Sequence, residues 1–366
     1  MKVVIAGGGT GGHLFPGIAL AEEVVTRHHA NDVLFVGTAR GLEARVVPKA
    51  GFKLELIEAT GVKGRGLGGW ISGLFRLPKA ILQSVHILRG WNPDIVVGVG
   101  GYASFPVVFA AWLLGLPTAV QEQNALPGLT NRVLGRLVRA VFVSFDEAKR
   151  FFPERKTQNV GNPIRKALME NFLRPQSRHD RFKILIFGGS QGAHAINVAA
   201  VEAGAHLEGL KEKVEILHQT GARDIEATRK GYAEAGIAAE VVEFIDDMSA
   251  AYAASDLVIC RSGATTLAEL TVCKKAAILV PFPFAADNHQ EVNARSLVDK
   301  GAAVMIRQQE LTGERLAAEV RDLLEHPARL QRMERAAGLL GRPEAAKEIA
   351  DVCVQLVYQG REQGAG

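Results

Sequence analysis

The chain has 366 residues, of which 48% are hydrophobic and 22% charged, and its formal net charge at pH 7 is +4. This length exceeds what one hydrophobic core usually holds, so we expect two domains. The small net charge and the lack of a basic arm or an aromatic-interleaved stripe argue against nucleic-acid binding.

Short runs rich in Val, Ile and Leu alternate with helical patterns along the chain and form two series. The predicted strands of the first series are Val3–Ala6, Val33–Val36, Ile95–Val99, Thr118–Gln121 and Val141–Ser144. Those of the second series are Lys183–Phe187, Val214–His218, Val241–Phe244, Leu257–Cys260, Ala277–Val280 and Ala303–Ile306. This alternation predicts two doubly wound α/β domains, each with a parallel sheet and helices on both faces. Residues Phe172–Phe182 are predicted to be part of a connector. Glu344–Tyr358 is a predicted helix, and its periodicity does not decide whether it packs on the first or the second domain.

A glycine-rich segment follows the first strand of each series. Gly7–Pro16 reads GGGTGGHLFP and is a predicted turn that contains His13, with a predicted helix over Gly17–Glu23 after it. Gly188–His194 reads GGSQGAH. A strand, a glycine turn and a helix N-terminus place backbone N–H groups where they can bind a phosphate, and ligands are expected outside the carboxyl ends of the strands. His13 is not needed for phosphate binding. Because histidine exchanges protons near neutral pH, it indicates proton transfer beside a bound anion, with a helix-capping histidine as the alternative.

The same glycines raise the alternative of a nicotinamide-dependent enzyme. Gly7, Gly9 and Gly12 fit the dinucleotide pattern G-x-G-x-x-G. That fingerprint also needs an acidic residue at the end of the second strand to hold the ribose. Here the second strand ends in Gly37-Thr38, and the corresponding strand of the second series lacks the acid as well. The sequence therefore disfavours a dehydrogenase.

Several segments in this order resemble one family. They are Gly7–Glu23, Gly98–Pro106, Gln121–Asn124, Gly128–Asn131, Val160–Arg165, Gly188–Ala193, Glu243–Met248 and Cys260–Ala264. Together they are similar to the MurG family of bacterial glycosyltransferases, from residue 1 to about residue 300. The resemblance implies a GT-B fold, in which two doubly wound Rossmann-like domains face an interdomain cleft. Residues 1–162 would be an acceptor- and membrane-binding domain, residues 163–341 a UDP-sugar domain, and a helix near 342–358 would pack back on the first.

The resemblance also implies the activity. The enzyme would move N-acetylglucosamine (GlcNAc) from UDP-GlcNAc to the C4 hydroxyl of MurNAc in undecaprenyl-diphosphate-MurNAc-pentapeptide (lipid I), with inversion, and produce lipid II. No cofactor is required in that reaction. It would take place at the cytoplasmic face of the bacterial cell membrane, with an anionic membrane surface and other cell-wall synthesis proteins as candidate partners. A UDP-sugar epimerase of the same fold and a noncatalytic nucleotide-sugar-binding protein are the alternatives.

Individual roles follow from the same resemblance. His13 is expected to act as a general base or to orient the acceptor, and Glu122 to be an alternative base or to accept a hydrogen bond from the acceptor sugar. The acceptor diphosphate is expected at Gly9, Gly100, Gly101 and Tyr102. The residues expected to bind UDP-GlcNAc are Thr10, Gly11, Gly12, Asn124, Arg165, Ser190, Ile245, Ala264, Thr265, Thr266, Leu267, Ala268, Glu269 and Gln290.

Within that set, Ile245 is expected to read the uracil edge through its backbone, Glu269 to accept from the ribose hydroxyls, and Gln290 to bind the hexose. Some relatives carry two glutamines where this chain has His289-Gln290, which leaves the role of His289 open.

No Asp-x-Asp pair occurs in the sequence, so a metal bound to the diphosphate has no obvious ligands. The charge of the departing UDP is then expected to be met by Arg165, Ser190 and the N-terminus of the helix after Gly192.

The segment Lys63–Trp91 mixes apolar, aromatic and basic residues. That mixture suits insertion at an anionic bilayer surface, and it equally suits a helix that covers a sheet. A lipid-linked acceptor favours the membrane interpretation.

Overall fold

The computed structural model describes residues 1–39, 41–59, 66–172 and 180–364. The chain divides into two compact units, Met1–Arg165 with Pro343–Gly366, and Lys166–Arg342. The first and last segments of the chain therefore belong to one unit, and the second unit is inserted between them.

The first unit is built on a parallel sheet. Its strands are β1 (Lys2–Gly7), β2 (Asp32–Gly37), β3 (Lys53–Leu56), β4 (Ile95–Gly100), β5 (Thr118–Glu122), β6 (Ala140–Val143) and β7 (Thr157–Asn159). Its helices up to the boundary are α1 (Gly11–Arg27), α2 (Glu43–Lys49), α3 (Gly66–Trp91), α4 (Ser104–Leu113) and α5 (Leu129–Leu137). The strand order is β3-β2-β1-β4-β5-β6-β7, and each described pairing is parallel.

The second unit repeats this plan. Its strands are β8 (Phe182–Phe187), β9 (Val214–Gln219), β10 (Ala239–Val242), β11 (Leu257–Cys260), β12 (Ala276–Leu279) and β13 (Ala303–Met305). Its helices are α6 (Lys166–Phe172), α7 (His194–His206), α8 (Ile225–Ala235), α9 (Met248–Ala254), α10 (Ala264–Val272), α11 (His289–Val298), α12 (Gly313–Glu325) and α13 (Pro327–Leu340). The order β10-β9-β8-β11-β12-β13 is that of a doubly wound nucleotide-binding sheet. The predicted fold class, two doubly wound α/β units, is confirmed.

The predicted strands are all present, with ends that differ by at most two residues. The largest shift is at β10, which was expected to reach Phe244; the strand ends at Val242, where its pairing with Gln219 of β9 ends. The sequence does not predict β3 or β7. Both lie at the edges of the first sheet, where a strand needs few apolar residues. Their sequences, Lys-Leu-Glu-Leu in β3 and Thr-Gln-Asn in β7, therefore lack the apolar run that marks a central strand.

Successive residues of β1 point to opposite faces of the sheet and join two separate cores. Val3 and Ile5 pack on one face with residues of α1. Val4 and Ala6 pack on the other face with residues of α3, α4 and α5. The near-continuous apolar runs in the sequence follow from this burial on both faces.

The terminal helix α14 (Ala345–Gly364) packs on α1, in the first unit. Its residues in that core are Ile349, Ala350, Cys353, Leu356 and Val357. Arg27 of α1 donates to Oδ1 of Asp351 at 2.6 Å and to the carbonyl oxygen of Lys347 at 2.8 Å. The guanidinium thus joins the start of the chain to its last helix.

Across the described ranges, no helix has both the length and the apolar character that crossing a membrane requires. Part of the predicted membrane-contacting segment Lys63–Trp91 lies outside the described residues, including Lys63 and Arg65 and the side chains of 66–76. Residues 173–179 of the predicted connector lie outside them as well.

His218 is a fully buried titratable group in the second unit. Its Nδ1 lies 2.9 Å from the hydroxyl of Tyr232 and its Nε2 lies 3.1 Å from Oδ1 of Asn197. Burial disfavours the imidazolium and lowers the pKa of His218 from 6.5 to about 3. The neutral ring is therefore the form that the folded protein accommodates.

We predict that His218 makes the second unit less stable as the pH falls. Between its unfolded pKa of 6.5 and its folded pKa of about 3, the unfolded chain binds a proton that the folded chain does not, so the stability present above pH 6.5 is lost on acidification. From pH 7 to pH 5 this amounts to about 2 kcal/mol. Amide hydrogen exchange of β8 and β9 at a series of pH values measures it.

The matched variant is His218→Gln, whose amide offers a donor and an acceptor without a titrating group. Its stability should fall less than that of the unmodified chain over the same pH interval. Equal losses in the two proteins would contradict the assignment.

Candidate functional site

The first glycine segment forms a tight turn that leads directly into α1. Gly9 has φ +89°, in the left-handed region that favours glycine. Thr10 is the N-cap, and its carbonyl oxygen accepts from the N–H groups of His13 and Leu14. The sequence predicts a turn that reaches His13, with the helix from Gly17. That interpretation is wrong: the helix begins at Gly11, so His13 lies in its first turn and has a fixed orientation.

A buried carboxylate holds this turn in place. Glu43, at the start of α2, is 1% exposed and accepts from the N–H of Gly9 at 2.7 Å. It also accepts from the N–H and hydroxyl of Thr38 at 2.8 and 2.9 Å. A Cβ on Gly8 would collide with this carboxylate, and one on Gly37 would lie 2.5 Å from its Cγ.

Sequence reasoning missed Glu43, because it looked for an acid at the end of β2 itself. Glu43 lies six residues beyond Gly37, and its side chain points back to the glycine turn. The N–H of Gly9 is already donated to a carboxylate, so a role of Gly9 toward the acceptor diphosphate cannot use that group in this conformation.

The second glycine turn, between β4 and α4, touches the first. The N–H of Gly8 donates to the carbonyl oxygen of Gly100 at 3.2 Å. Gly100 and Gly101 have φ +92° and +83°. A Cβ on Gly100 would lie 2.7 Å from Nδ1 of His13, and one on Gly101 would collide with the carbonyl oxygen of Gly8. The structure thus brings together the two turns and the histidine that the sequence singles out, and only glycine permits this approach.

His13 is half-buried, and its Nδ1 lies 3.0 Å from Oε1 of Gln123. Gln123 follows β5, is 1% exposed, and donates from Nε2 to the carbonyl oxygen of Val99 at 2.9 Å. Sequence reasoning gave Gln123 no role. Its position in the same short motif as Glu122 and Asn124 was the available signal.

Glu122 lies at the end of β5 with 1% of its surface exposed. Its carboxylate accepts from the N–H of Asn124 at 2.9 Å, the N–H of Gly128 at 3.2 Å and Nδ2 of Asn131 at 2.9 Å. Such a surrounded carboxylate fixes the conformation of residues 124–131. The geometry therefore favours a positioning role for Glu122 over the alternative assignment as a base.

Arg165 is the last residue of the first unit and lies on its surface. Its guanidinium lies 5.3 Å from the ring centroid of Phe15, two residues beyond His13 on α1. The contact holds the arginine near the two glycine turns of the first unit.

The glycine turn of the second unit is held by an uncharged side chain. Gln219, at the end of β9, donates to the carbonyl oxygen of Gly189 at 2.8 Å and accepts from the N–H of Ile245 at 3.0 Å. Ser190 is exposed in this turn, and α7 begins four residues later at His194. The N–H of Ile245 is thus used within the protein, so recognition of a base edge by this N–H would require it to leave Gln219.

The remaining predicted donor residues cluster at the carboxyl edge of the second sheet, because β8, β11 and β12 are neighbours in it. Helix α10 begins at Ala264 after the N-cap Gly263, and spans the predicted residues 264–269. Glu269 accepts from the hydroxyl of Tyr252 at 3.0 Å. Ser262 donates to the carbonyl oxygen of Gln290 at 2.8 Å, which joins the start of α10 to α11.

The side chain of Gln290 is oriented by the backbone. Its Oε1 accepts from the N–H of Phe282 at 3.0 Å, so its Nε2 is directed elsewhere. His289 is half-buried, and its Nδ1 lies 2.7 Å from the carbonyl oxygen of Ala286. Among the residues that the structure describes, no three His, Cys, Asp or Glu side chains are placed to share a metal ion.

Comparison with known proteins gives matches over both units. Residues 3–143 match the glycosyltransferase family 28 N-terminal domain, and residues 183–349 match the glycosyltransferase family 28 C-terminal domain. A protein of Myxococcus xanthus (strain DK1622) is 65% identical over 368 residues, which cover 99% of this chain and 96% of that protein. Its name is UDP-N-acetylglucosamine--N-acetylmuramyl-(pentapeptide) pyrophosphoryl-undecaprenol N-acetylglucosamine transferase.

Two solved structures are informative. The crystal structure of Acinetobacter baumannii MurG matches with a TM-score of 0.80 and 31% identity, covering 97% of this chain and 99% of that one. UDP-GlcNAc 2-epimerase from Neisseria meningitidis, bound to UDP-GlcNAc, matches with a TM-score of 0.70 at 15% identity, covering 97% and 100%. The second likeness concerns the fold alone.

Proposed function

The chain belongs to glycosyltransferase family 28, and we propose that it transfers GlcNAc from UDP-GlcNAc to lipid I to give lipid II for peptidoglycan. The observation that carries this proposal is the 65% identity to the Myxococcus xanthus transferase over 99% of the chain. The acceptor supplies the nucleophile and the donor supplies both the sugar and the leaving group. The reaction as written therefore needs no cofactor.

The first unit supplies the groups for the acceptor. In an inverting transfer the MurNAc C4 oxygen bonds to C1 of GlcNAc while the bond from C1 to the UDP oxygen breaks. The hydroxyl proton must go to a base, and His13 is the proposed base because it is half-buried and held against Gly100 and Gln123. The turn at Gly100 and Gly101, followed by Tyr102, is the proposed contact for the acceptor diphosphate.

The second unit supplies the groups for the donor. The departing UDP gains negative charge, and Ser190 with the N-terminus of α7 is proposed to meet it. The helix N-terminus carries about half a positive charge, and the turn before it is held by neutral Gln219. Glu269 and Gln290 are proposed to bind ribose and hexose hydroxyls, since each offers a polar group at the carboxyl edge of the sheet.

A transfer assay tests the activity directly. With GlcNAc-labelled UDP-GlcNAc and lipid I, or a short-chain analogue of it, the label should enter the lipid and one UDP should be released per sugar transferred. Formation of an epimer without acceptor, binding without turnover, or reduction of a nicotinamide would contradict the proposal and point to the respective alternative.

The His13→Ala variant tests the proton transfer. We expect kcat to fall by about 10²–10⁴-fold, the range of general base catalysis, with little change in the dissociation constant for UDP-GlcNAc. The control is His29→Ala, which removes an exposed histidine beyond the other end of α1. Turnover of His13→Ala equal to that of the control would contradict the role of His13.

We also propose that the first unit contacts an anionic membrane surface at the cytoplasmic face, where a lipid-linked acceptor would be reached. Helix α3 covers the sheet with Ala80 and Leu88, while Leu82 is 70% exposed. On α4, Trp112 and Leu113 are 43% and 56% exposed. Lys79 on α3 is paired with Glu58 at 2.8 Å, and Arg89 is an exposed cation one heptad beyond Leu82. Exposed apolar side chains beside a cation suit an interface with anionic lipid.

Vesicle sedimentation tests this contact. We expect weak binding to vesicles that contain phosphatidylglycerol, reduced by salt and by Leu82→Glu, because both apolar burial and charge contribute. The matched control is Leu339→Glu, which changes an 86% exposed leucine of the second unit. Binding that is indifferent to anionic lipid, salt and Leu82→Glu would contradict the proposal.

A further inference from the structure

A row of buried side-chain amides leads from the segment after β7 to His13. Nε2 of Gln121 donates to Oδ1 of Asn162 at 3.1 Å, and Oε1 of Gln121 accepts from Nε2 of Gln123. Oε1 of Gln123 then lies 3.0 Å from Nδ1 of His13. Gln121 and Gln123 are each 1% exposed and Asn162 is 3% exposed, so water does not compete for these contacts.

The surroundings fix which end of the Gln123 amide faces the histidine. Its nitrogen lies 2.9 Å from the carbonyl oxygen of Val99, and a carbonyl oxygen can only accept a hydrogen bond. Reversing the amide would place its oxygen against the Val99 oxygen and against Oε1 of Gln121. The carbonyl oxygen of Val99 and Oε1 of Gln121 would then lose the donor that Gln123 supplies. A buried acceptor without a donor lowers the stability of the fold. Oε1 of Gln123 must therefore face His13.

That orientation determines the tautomer of His13. Because Oε1 of Gln123 can only accept, Nδ1 of His13 must carry the hydrogen. A neutral imidazole has one N–H, so the lone pair lies on Nε2. No group in the described part of the chain hydrogen-bonds this Nε2.

We propose that Gln123 is a positioning residue that holds His13 in the Nδ1–H tautomer and makes Nε2 the atom that removes the acceptor proton. The proposal rests on the proposed function for the identity of the reaction. As the acceptor oxygen bonds to C1 of GlcNAc, its proton moves to Nε2, and UDP departs with the electron pair of the broken bond. The resulting imidazolium still donates from Nδ1 to Gln123, so no amide needs to reorient during turnover.

The close packing on Gly100 supports the same arrangement. A Cβ on Gly100 would lie 2.7 Å from Nδ1 and 2.9 Å from Cε1 of His13, so the ring edge lies directly on the glycine backbone. A rotation that turned Nδ1 away from Gln123 would replace a hydrogen bond with a carbon contact. Position and tautomer are thus set by two different neighbours.

Nitrogen-15 NMR of the full chain labelled at histidine tests the proposal without reference to activity. His13 is assigned by the signals that disappear in His13→Ala. In the neutral form, Nδ1 of His13 should have the shift of a protonated ring nitrogen and Nε2 that of an unprotonated one. An Nε2–H tautomer would overturn the proposal.

Substitution of Gln123 provides the second arm. Gln123→Met keeps the volume but removes the acceptor oxygen, so the tautomer should shift toward Nε2–H and kcat should fall by about 10–100-fold, with KM for UDP-GlcNAc little changed. Gln123→Glu keeps an acceptor toward Nδ1 of His13 and should keep the Nδ1–H tautomer, but its second oxygen faces the carbonyl oxygen of Val99, so this variant should be less stable. Gln158→Met, the same change at an exposed position of β7, is the control.

The two arms separate this proposal from the proposed function. If Gln123→Met leaves the tautomer of His13 unchanged, the positioning role is wrong whatever the enzyme transfers. If the tautomers behave as described but GlcNAc is not transferred to lipid I, the proposed function is wrong and the positioning of His13 stands.

Discussion

The arrangement of the first unit depends on one buried carboxylate, that of Glu43. A carboxylate removed from water costs several kcal/mol unless donors surround it, and here the donors are backbone and side-chain groups of Gly9 and Thr38. The glycines at 8 and 37 leave the room that the carboxylate occupies. Because the first turn is fixed in this way, α1 begins at Gly11, the second turn meets the first, and the ring of His13 lies on Gly100.

The two units use the same turn with different electrostatics. In the first unit the turn is held by the carboxylate of Glu43, which accepts from the N–H of Gly9. In the second unit the equivalent support is Gln219, a neutral amide that bonds Gly189 and Ile245. The two turns are both glycine-rich in the sequence, and the structure holds one with a carboxylate and the other with a neutral amide.

Much of the fold could be predicted from the sequence, because strands buried on both faces must be continuous apolar runs. The edge strands β3 and β7 escaped prediction because they need no such run. The start of α1 was misplaced because the glycines at 11 and 12 suggest a turn, whereas the extended N-cap Thr10 starts a helix there. The glycine turns and His13 were evident from their motifs. The roles of Glu43, Gln123 and Gln219 were not, since each depends on what the side chain faces in three dimensions.

The helix α14 has a consequence for how the protein is made. The core of the first unit includes Ile349 and Val357, so it cannot be completed until α14 has left the ribosome. The second unit ends at Arg342 and has all its strands by then. Domains usually fold in the order of their synthesis. Here the inserted unit is synthesised completely before the first unit is. The core beside β1 stays incomplete until α14 packs on α1 and Arg27 donates to Asp351.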